Sequence, residues 1–126
     1  MQAERFEGSN AISRHSNEGV IVNGTAYTRS VIVPWTGLVQ DWSAIDFESL
    51  TEADFAGLAQ LSPELVIFGS GRRIRFPSPA LARVLTRQGI GIETMDTAAA
   101  CRTYNVLVAE GRSAVAALLF EADGPR

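Results

Sequence analysis

The sequence predicts an α/β domain built on a central mixed sheet, with strands and helices alternating in a βαβαβ pattern in its C-terminal half. Three short apolar runs lie at residues 65–69, 90–95 and 114–120. Two segments in which apolar residues recur with helical spacing separate these runs, which is the pattern of consecutive strand–helix–strand units. Asn-Gly at residues 23–24, between two β-branched runs, adds a β-hairpin in the N-terminal half.

The N-terminal half is expected to contribute short strands. The hairpin strands are predicted at residues 20–22 and 25–33. The second strand should end at Pro34, because proline has no amide hydrogen to donate to a neighbouring strand. Residues 35–42 contain a glycine and two tryptophans, which indicates another short strand at or near a sheet edge.

The predicted domain boundaries lie where polar, weakly patterned residues give way to the strand and helix patterns. Residues 1–18 are polar and weakly patterned, so we expect a flexible N-terminal arm, and packing of Phe6 and Ile12 against the domain is the alternative. Residues 19–121 are predicted to form a single α/β domain. Residues 122–126 are predicted to be a tail.

Each of the three predicted helices carries a start signal. Thr51, with Asp54 three residues later, resembles a capping box, in which two side chains satisfy amides that the first turn leaves free. Ser78 is a good cap and is followed by a proline, which is favoured at the first helical position. Asp96 or Thr97 caps the third helix, which should run to about residue 110. The predicted stop signals are Ser62-Pro63, Gly89 and Gly111.

The composition favours a single globular domain and excludes several classes of partner. The 126 residues are 46% hydrophobic and 20% charged, which is enough apolar surface for a core without metal or disulfide support. The net charge of -3 predicts no nucleic-acid partner. No secretory signal and no apolar run of membrane-spanning length is present, so we expect no membrane insertion and a cytoplasmic location.

The chain offers few catalytic groups. Every basic residue is arginine, which excludes lysine chemistry. The single histidine, His15, lies in the polar arm, far along the chain from the single cysteine, Cys101, so no metal site is predicted. Cys101 shares the apolar face of the third helix and is interpreted as a buried, inert residue, whereas a reactive thiol near a helix start is the alternative. We therefore predict no catalytic residues, no metal and no cofactor.

The loop that follows residues 65–69 is the candidate functional site. Loops at the carboxyl ends of parallel strands gather at one sheet edge, where ligands usually bind, and helix amino ends there favour anions. This loop and the start of the third helix could hold a small anion, a phosphate-bearing ligand or an acidic partner surface. The candidate residues are Gly69, Ser70, Gly71, Arg72, Arg73, Thr94, Asp96, Thr97 and Arg102.

A tight turn with two solvated arginines explains the same loop, and it is the interpretation that we favour. A dinucleotide-binding fingerprint fits poorly, because the third glycine is missing and the helix begins too late. Asp96 as a cap would also occupy the amides that a phosphate needs. Glu93 and Asp96 could serve as an acid and a base, but ion pairing with nearby arginines is the safer interpretation.

The third helix has a polar face opposite its apolar stripe. Arg102, Asn105 and Arg112 fall on this face by helical spacing. A solvated surface explains these residues, and a partner-binding surface would also fit.

Several stretches together resemble the Mth-938-like domain family, a group of unknown function. The stretches read PELVIFGSGRRIRF at residues 63–76 and PSPALARVLTRQGIGIETMDTAAACRTYNVLVAEGR at residues 77–112. The likeness covers about residues 19–120 and is densest at the Gly69–Gly71 loop and at residues 89–93 and 95–105. The resemblance implies a compact three-layer α/β domain with a β-hairpin portion and no established catalytic activity. It also implies action through protein partners, as for members linked to the assembly of respiratory complex I.

We therefore expect a non-enzymatic interaction or assembly-accessory domain, linked to the biogenesis of a respiratory or membrane complex and acting through a protein partner. The lack of a mitochondrial-type leader favours a bacterial-style cytoplasmic member. The alternative is a protein that binds a small anionic ligand, or a weak enzyme, that uses the Gly69–Arg73 loop.

Overall fold

The computed structural model describes residues 8–16 and 18–120. Strands dominate the first half of this part of the chain, and strands and helices alternate in the second half. The elements are β1 (Ile12–His15), β2 (Val20–Val22), β3 (Thr25–Tyr27), β4 (Val31–Val33), β5 (Gln40–Asp41), α1 (Glu52–Ala59), β6 (Leu65–Gly69), α2 (Pro79–Thr86), β7 (Gly91–Met95), α3 (Thr97–Ala109) and β8 (Ala114–Leu118).

The described strands form two sheets. The smaller sheet has the order β1-β2-β3 and is antiparallel. The larger sheet has the order β5-β4-β8-β6-β7, with β6 parallel to both β7 and β8 and β4 antiparallel to β8 and β5. The predicted mixed sheet with a βαβαβ C-terminal half is therefore confirmed.

The larger sheet is the middle of three layers. Alternate residues of a strand point to opposite faces, so Val66 and Phe68 of β6 pack into the core on the side of α1 and α2. Ile67 packs on the other side, with α3 and the smaller sheet. Because both faces are covered, the central strands are continuously apolar rather than alternating.

The helix start signals are confirmed. Thr51 and Asp54 form the reciprocal capping box at the start of α1. The Ser78 side chain accepts a hydrogen bond from the Ala80 amide at the start of α2. Asp96, rather than Thr97, caps α3. None of the helices in the described residues is long and apolar enough to cross a membrane.

The predicted strand at residues 25–33 is wrong, because the structure divides it between the two sheets. β3 pairs with β2 across the Asn23-Gly24 turn, as predicted, but β4 pairs with β5 and β8. All three residues of β4 are buried, which places it inside the larger sheet. The polar residues 28–30 connect the strands, and the Ser30 carbonyl accepts a hydrogen bond from the Trp42 amide.

The N-terminal boundary also differs from the prediction of a flexible arm over residues 1–18. β1 lies within that arm and pairs with β2, and Ile12 is 4% exposed, as the alternative expected. Asn10 fixes the chain before β1, because its side-chain nitrogen donates to the Pro34 carbonyl oxygen at 2.8 Å. Phe6 and the predicted tail at 122–126 lie outside the described residues.

Candidate functional site

The loop after β6 and the start of α3 are neighbours, as the sequence predicts. Parallel pairing of β6 and β7 places Gly69 opposite Met95. The Ser70 amide then donates to the Met95 carbonyl oxygen at 2.9 Å, which extends the contact one residue beyond the strand ends. The two segments therefore meet at the carboxyl ends of the parallel strands, where a ligand site is most often found.

Ser70 holds the loop closed from inside. Its side chain is fully buried, and its hydroxyl donates to the Arg73 carbonyl oxygen at 2.6 Å. The same hydroxyl oxygen accepts a hydrogen bond from the Arg75 amide at 2.9 Å. Because the hydroxyl is used within the loop and hidden from solvent, Ser70 supports the loop rather than presenting a group to a ligand.

Gly71 and Thr97 join the loop to α3 through a reciprocal pair of hydrogen bonds. The Thr97 amide donates to the Gly71 carbonyl oxygen at 2.8 Å, and the Gly71 amide donates to the Thr97 hydroxyl oxygen at 2.9 Å. The Thr97 hydroxyl in turn donates to the Leu119 carbonyl oxygen at 2.7 Å. Thr97 therefore ties together three backbone segments, and it is buried.

Gly69 allows α3 to approach the end of β6 closely. A Cβ atom at this position would lie 2.9 Å from Leu118 Cδ2 and 3.1 Å from both Ala100 Cβ and Thr97 Cα. Gly69, which the sequence put forward as a candidate ligand-binding residue, therefore serves helix packing in the structure.

A cleft of about 320 Å³ lies beside this junction, and it includes residues that the sequence did not connect with the site. Its lining comprises His15, Ser16, Gly71, Arg72, Asp96, Thr97 and Ala98. His15 and Ser16 reach it because β1 pairs with β2 and ends at this point. No motif or spacing in the sequence indicates that His15 and Ser16 belong to this cleft. Only the identification of β1 as a strand would have predicted it.

Three of the predicted site residues do not line this cleft. Arg73 is exposed on the loop, and Arg102 is exposed on α3, one residue after Cys101. Thr94 is partly buried within β7. The structure therefore brings four of the nine candidate residues to the cleft: Gly71, Arg72, Asp96 and Thr97. Gly69 and Ser70 do not line the cleft but support the neighbouring loop and helix.

The start of α3 is already hydrogen-bonded at several of its amides. Asp96 Oδ1 accepts from the Ala99 amide at 2.9 Å, and the Thr97 amide is used by Gly71. A carboxylate at this helix start takes the place that an incoming anion would take. This arrangement weakens the case for a phosphate or carboxylate ligand in the cleft.

Asn105, on the polar face of α3, is not simply a solvated side chain. Its side-chain amide bonds the backbone of Ile12, and the adjacent Tyr104 hydroxyl donates to the Pro34 carbonyl oxygen at 2.7 Å. Burial raises the pKa of the Tyr104 hydroxyl, which therefore stays protonated as a donor. These two neighbouring side chains fasten the N-terminal segment and the β4 end to α3.

Cys101 has the environment expected of an inert core residue. It is fully buried on the inner side of α3. Burial raises the pKa of its thiol to about 12, because the thiolate would lose its hydration. Within the described residues, no three His, Cys, Asp or Glu side chains are grouped so that they could hold a metal ion.

Comparison with known proteins places the chain in a family. A family model described as "Protein of unknown function (DUF498/DUF598)" matches residues 12–119. A bovine (Bos taurus) protein named NADH dehydrogenase [ubiquinone] 1 alpha subcomplex assembly factor 3 is 33% identical over 111 residues, which cover 86% of this chain and 59% of that protein. The chain thus spans about three fifths of the length of that relative.

Solved structures show the same fold. A crystal structure of a protein from Bordetella parapertussis has a TM-score of 0.85 and 34% identity, and the match covers 90% of this chain and 98% of that one. A solution structure of an Mth938-like domain from Bordetella pertussis has a TM-score of 0.76 and 29% identity, with 91% and 88% of the two chains covered. The expected three-layer Mth-938-like fold is confirmed.

Proposed function

Because this chain belongs to the DUF498/DUF598 family of Mth-938-like domains, we propose that it is an assembly-accessory protein that acts by binding another protein. The observation that carries the proposal is the name of the bovine relative, which describes an assembly factor of NADH dehydrogenase. We extend that role to this chain: it assists the assembly of a respiratory or membrane complex by binding another protein, and it catalyses no reaction.

The geometry of the loop and cleft supports a binding role over a catalytic one. Ser70 and Thr97 carry hydroxyl groups at the junction of the loop and α3, and both hydroxyls donate hydrogen bonds to backbone carbonyl oxygens. The Cys101 thiol is buried and protonated. A nucleophile and a base within hydrogen-bonding reach of each other are what catalysis would require, and these residues do not provide them.

Affinity purification of the full chain from its own cells tests this proposal. The tagged protein is isolated under mild conditions beside an equally expressed, unrelated tagged protein of similar size. We expect a defined set of partner proteins that the control does not retain, including subunits or assembly intermediates of a membrane complex. Recovery of the protein alone from both soluble and detergent-solubilised fractions would remove the basis of the proposal.

The second candidate function is binding of a small anion, which the presence of His15 and Arg72 in the cleft favours. A ligand that binds only the folded state raises the melting temperature, and the stabilisation grows with the logarithm of one plus its concentration over Kd. A thermal-shift screen with phosphate, nucleotides and carboxylates, run on the wild type and on Arg72→Ala, measures this effect. Under the assembly role we expect no shift in melting temperature that depends on Arg72. A shift that grows with ligand concentration in the wild type and is lost in the variant would favour the anion-binding role instead.

A further inference from the structure

The charges of this chain are segregated along its sequence. Residues 65–92 contain five of the eleven arginines and no aspartate or glutamate, although the whole chain has a net charge of -3. Arg73, Arg83 and Arg87 in this segment are exposed. Arg83 and Arg87 are four residues apart, so they share one face at the end of α2. The segment therefore carries exposed positive charge on an otherwise acidic protein.

Two large apolar side chains are exposed within the same segment. Phe76 is 72% exposed and Ile74 is 52% exposed. They flank Arg75, whose amide is held by the buried Ser70 hydroxyl. The loop therefore presents both apolar side chains from a backbone that is already fixed, which reduces the entropy lost when a partner binds.

A groove of about 470 Å³ begins at Phe76 and runs to the first turn of α2. It is lined by Phe47, Leu50, Phe76, Pro77 and Leu81, together with the polar groups of Glu48, Arg75 and Ser78. The Arg75 guanidinium lies 4.5 Å from the centre of the Phe47 ring and 2.7 Å from Glu48 Oε2. These contacts hold the Arg75 side chain against Phe47 and Glu48 in the wall of the groove.

We propose that the groove, together with the exposed Ile74, Arg73, Arg83 and Arg87 of the same segment, docks an acidic segment of a partner protein. An apolar side chain of that segment enters the groove beside Phe76, and flanking carboxylates face the arginines. A few residues supply most of the binding energy in a protein interface, arginine is enriched among them, and charge complementarity helps to set the orientation. The inference rests on the proposed assembly role and names the partner chemistry that this role requires.

The lining of the groove favours a protein segment over an anionic lipid surface. Glu48 lies in the groove with a side chain that is 70% exposed. A flat anionic membrane would bring phosphates against this carboxylate, whereas a peptide can place its own carboxylates only where the arginines are. A concave groove also suits a single inserted side chain, while lipid binding favours apolar groups that project outward.

Site-specific photocrosslinking in the protein's own cells tests this docking surface. The photoreactive residue p-benzoylphenylalanine replaces Phe76 in the full chain, and the crosslinked peptide is identified by mass spectrometry. The matched control carries the same residue in place of Val106, which is 57% exposed on α3. We expect a protein adduct at position 76 that maps to a segment rich in Asp and Glu with an apolar residue, and much less adduct at position 106.

Charge reversal provides the second arm of the experiment. Arg73→Glu combined with Arg83→Glu should lower the yield of the position-76 adduct about tenfold, whereas Arg102→Glu, which reverses an exposed arginine on α3, should leave it unchanged. Melting temperatures of all variants confirm that each is folded. Adducts to lipid, to a second copy of this chain or to a segment without acidic residues would overturn the proposal, as would an absent or charge-insensitive adduct. If affinity purification still recovers partners in that case, the assembly role stands and only this surface is wrong.

Discussion

The side-chain amide of Asn105 forms both of its principal hydrogen bonds with the backbone of Ile12. Asn105 Oδ1 accepts from the Ile12 amide at 2.9 Å, and Asn105 Nδ2 donates to the Ile12 carbonyl oxygen at 2.8 Å. The Asn105 side chain thus forms with Ile12 of β1 the two backbone hydrogen bonds that a neighbouring strand would otherwise form. The contact joins residues 93 apart and fixes the N-terminal segment against the domain.

Replacing Asn105 with alanine should destabilise the domain by about 1–3 kcal/mol, because both backbone groups of Ile12 lose their partner in a partly buried position. Urea denaturation of wild type and variant measures the free energy of unfolding. Arg102→Ala, on the exposed side of the same helix, should change it by less than about 0.5 kcal/mol. Equal stabilities for Asn105→Ala and wild type would show that the contact is not maintained in solution.

Gly69→Ala and Gly57→Ala should have opposite effects. At Gly69 the new methyl group meets Leu118, Ala100 and the Thr97 backbone, so we expect a loss of about 1–3 kcal/mol. At Gly57, within α1, nothing lies within 4 Å of the added Cβ, and alanine should stabilise the helix by about 0.5–1 kcal/mol. Denaturant titration of the two variants checks the signs, and a neutral Gly69→Ala would contradict the close packing of α3 on β6.

The fold was predictable wherever the signal was local. Apolar runs with helical segments between them gave β6, β7 and β8, and capping side chains marked the helix starts to within a residue. The Asn23-Gly24 turn identified the hairpin because both residues adopt positive φ. These features depend on neighbouring residues only, so the sequence carries them directly.

The features of the fold that the sequence did not predict depend on contacts between residues far apart in the chain. β1 has a single buried residue, Ile12, and its stability comes from β2 and Asn105, so its own pattern is too weak to mark it as a strand. Residues 25–33 read as one strand because β-forming residues stand at both ends and no glycine or proline lies between them. The division between β3 and β4 follows from the sheet with which each one pairs. His15 and Ser16 were not predicted to line the cleft, because β1, which places them there, was not predicted as a strand.

Glu64 should make stability depend on pH in a defined window. The Ser113 amide, with Arg112 as the second cause, holds the pKa of Glu64 below its ordinary value of 4.5. The carboxylate therefore contributes its full stabilisation above about pH 4.5, and the contribution is lost as the pH falls through the lowered pKa. The stability difference between wild type and Glu64→Gln should be constant at neutral pH and shrink in acid.

Arg112→Met separates the two causes of that shift. The variant keeps the hydrogen bond from the Ser113 amide, so the pKa of Glu64 should rise only part of the way towards 4.5. An NMR titration of the Glu64 side-chain carboxyl carbon measures it directly. A complete return to 4.5 would mean that the arginine, rather than the backbone amide, dominates.

The Cys101 thiol should be unreactive in the folded protein. It is fully buried, and its pKa of about 12 leaves almost no thiolate at neutral pH. A colorimetric disulfide reagent should label it in urea at the rate of a free thiol and, without denaturant, at least about a hundredfold more slowly. Rapid labelling of the native protein would show that α3 opens readily from the sheet.

The sedimentation rate of this chain in an extract of its own cells is the sharpest test of a protein-binding, assembly-accessory role. The chain alone has a mass of 13.6 kDa. Sedimentation of a fresh extract of its own cells, made with mild detergent, is compared with that of the purified protein at the same concentration. If the chain binds partner proteins, the extract should contain a fast-sedimenting fraction of it that the purified protein lacks. Identical sedimentation of the two samples would contradict that role.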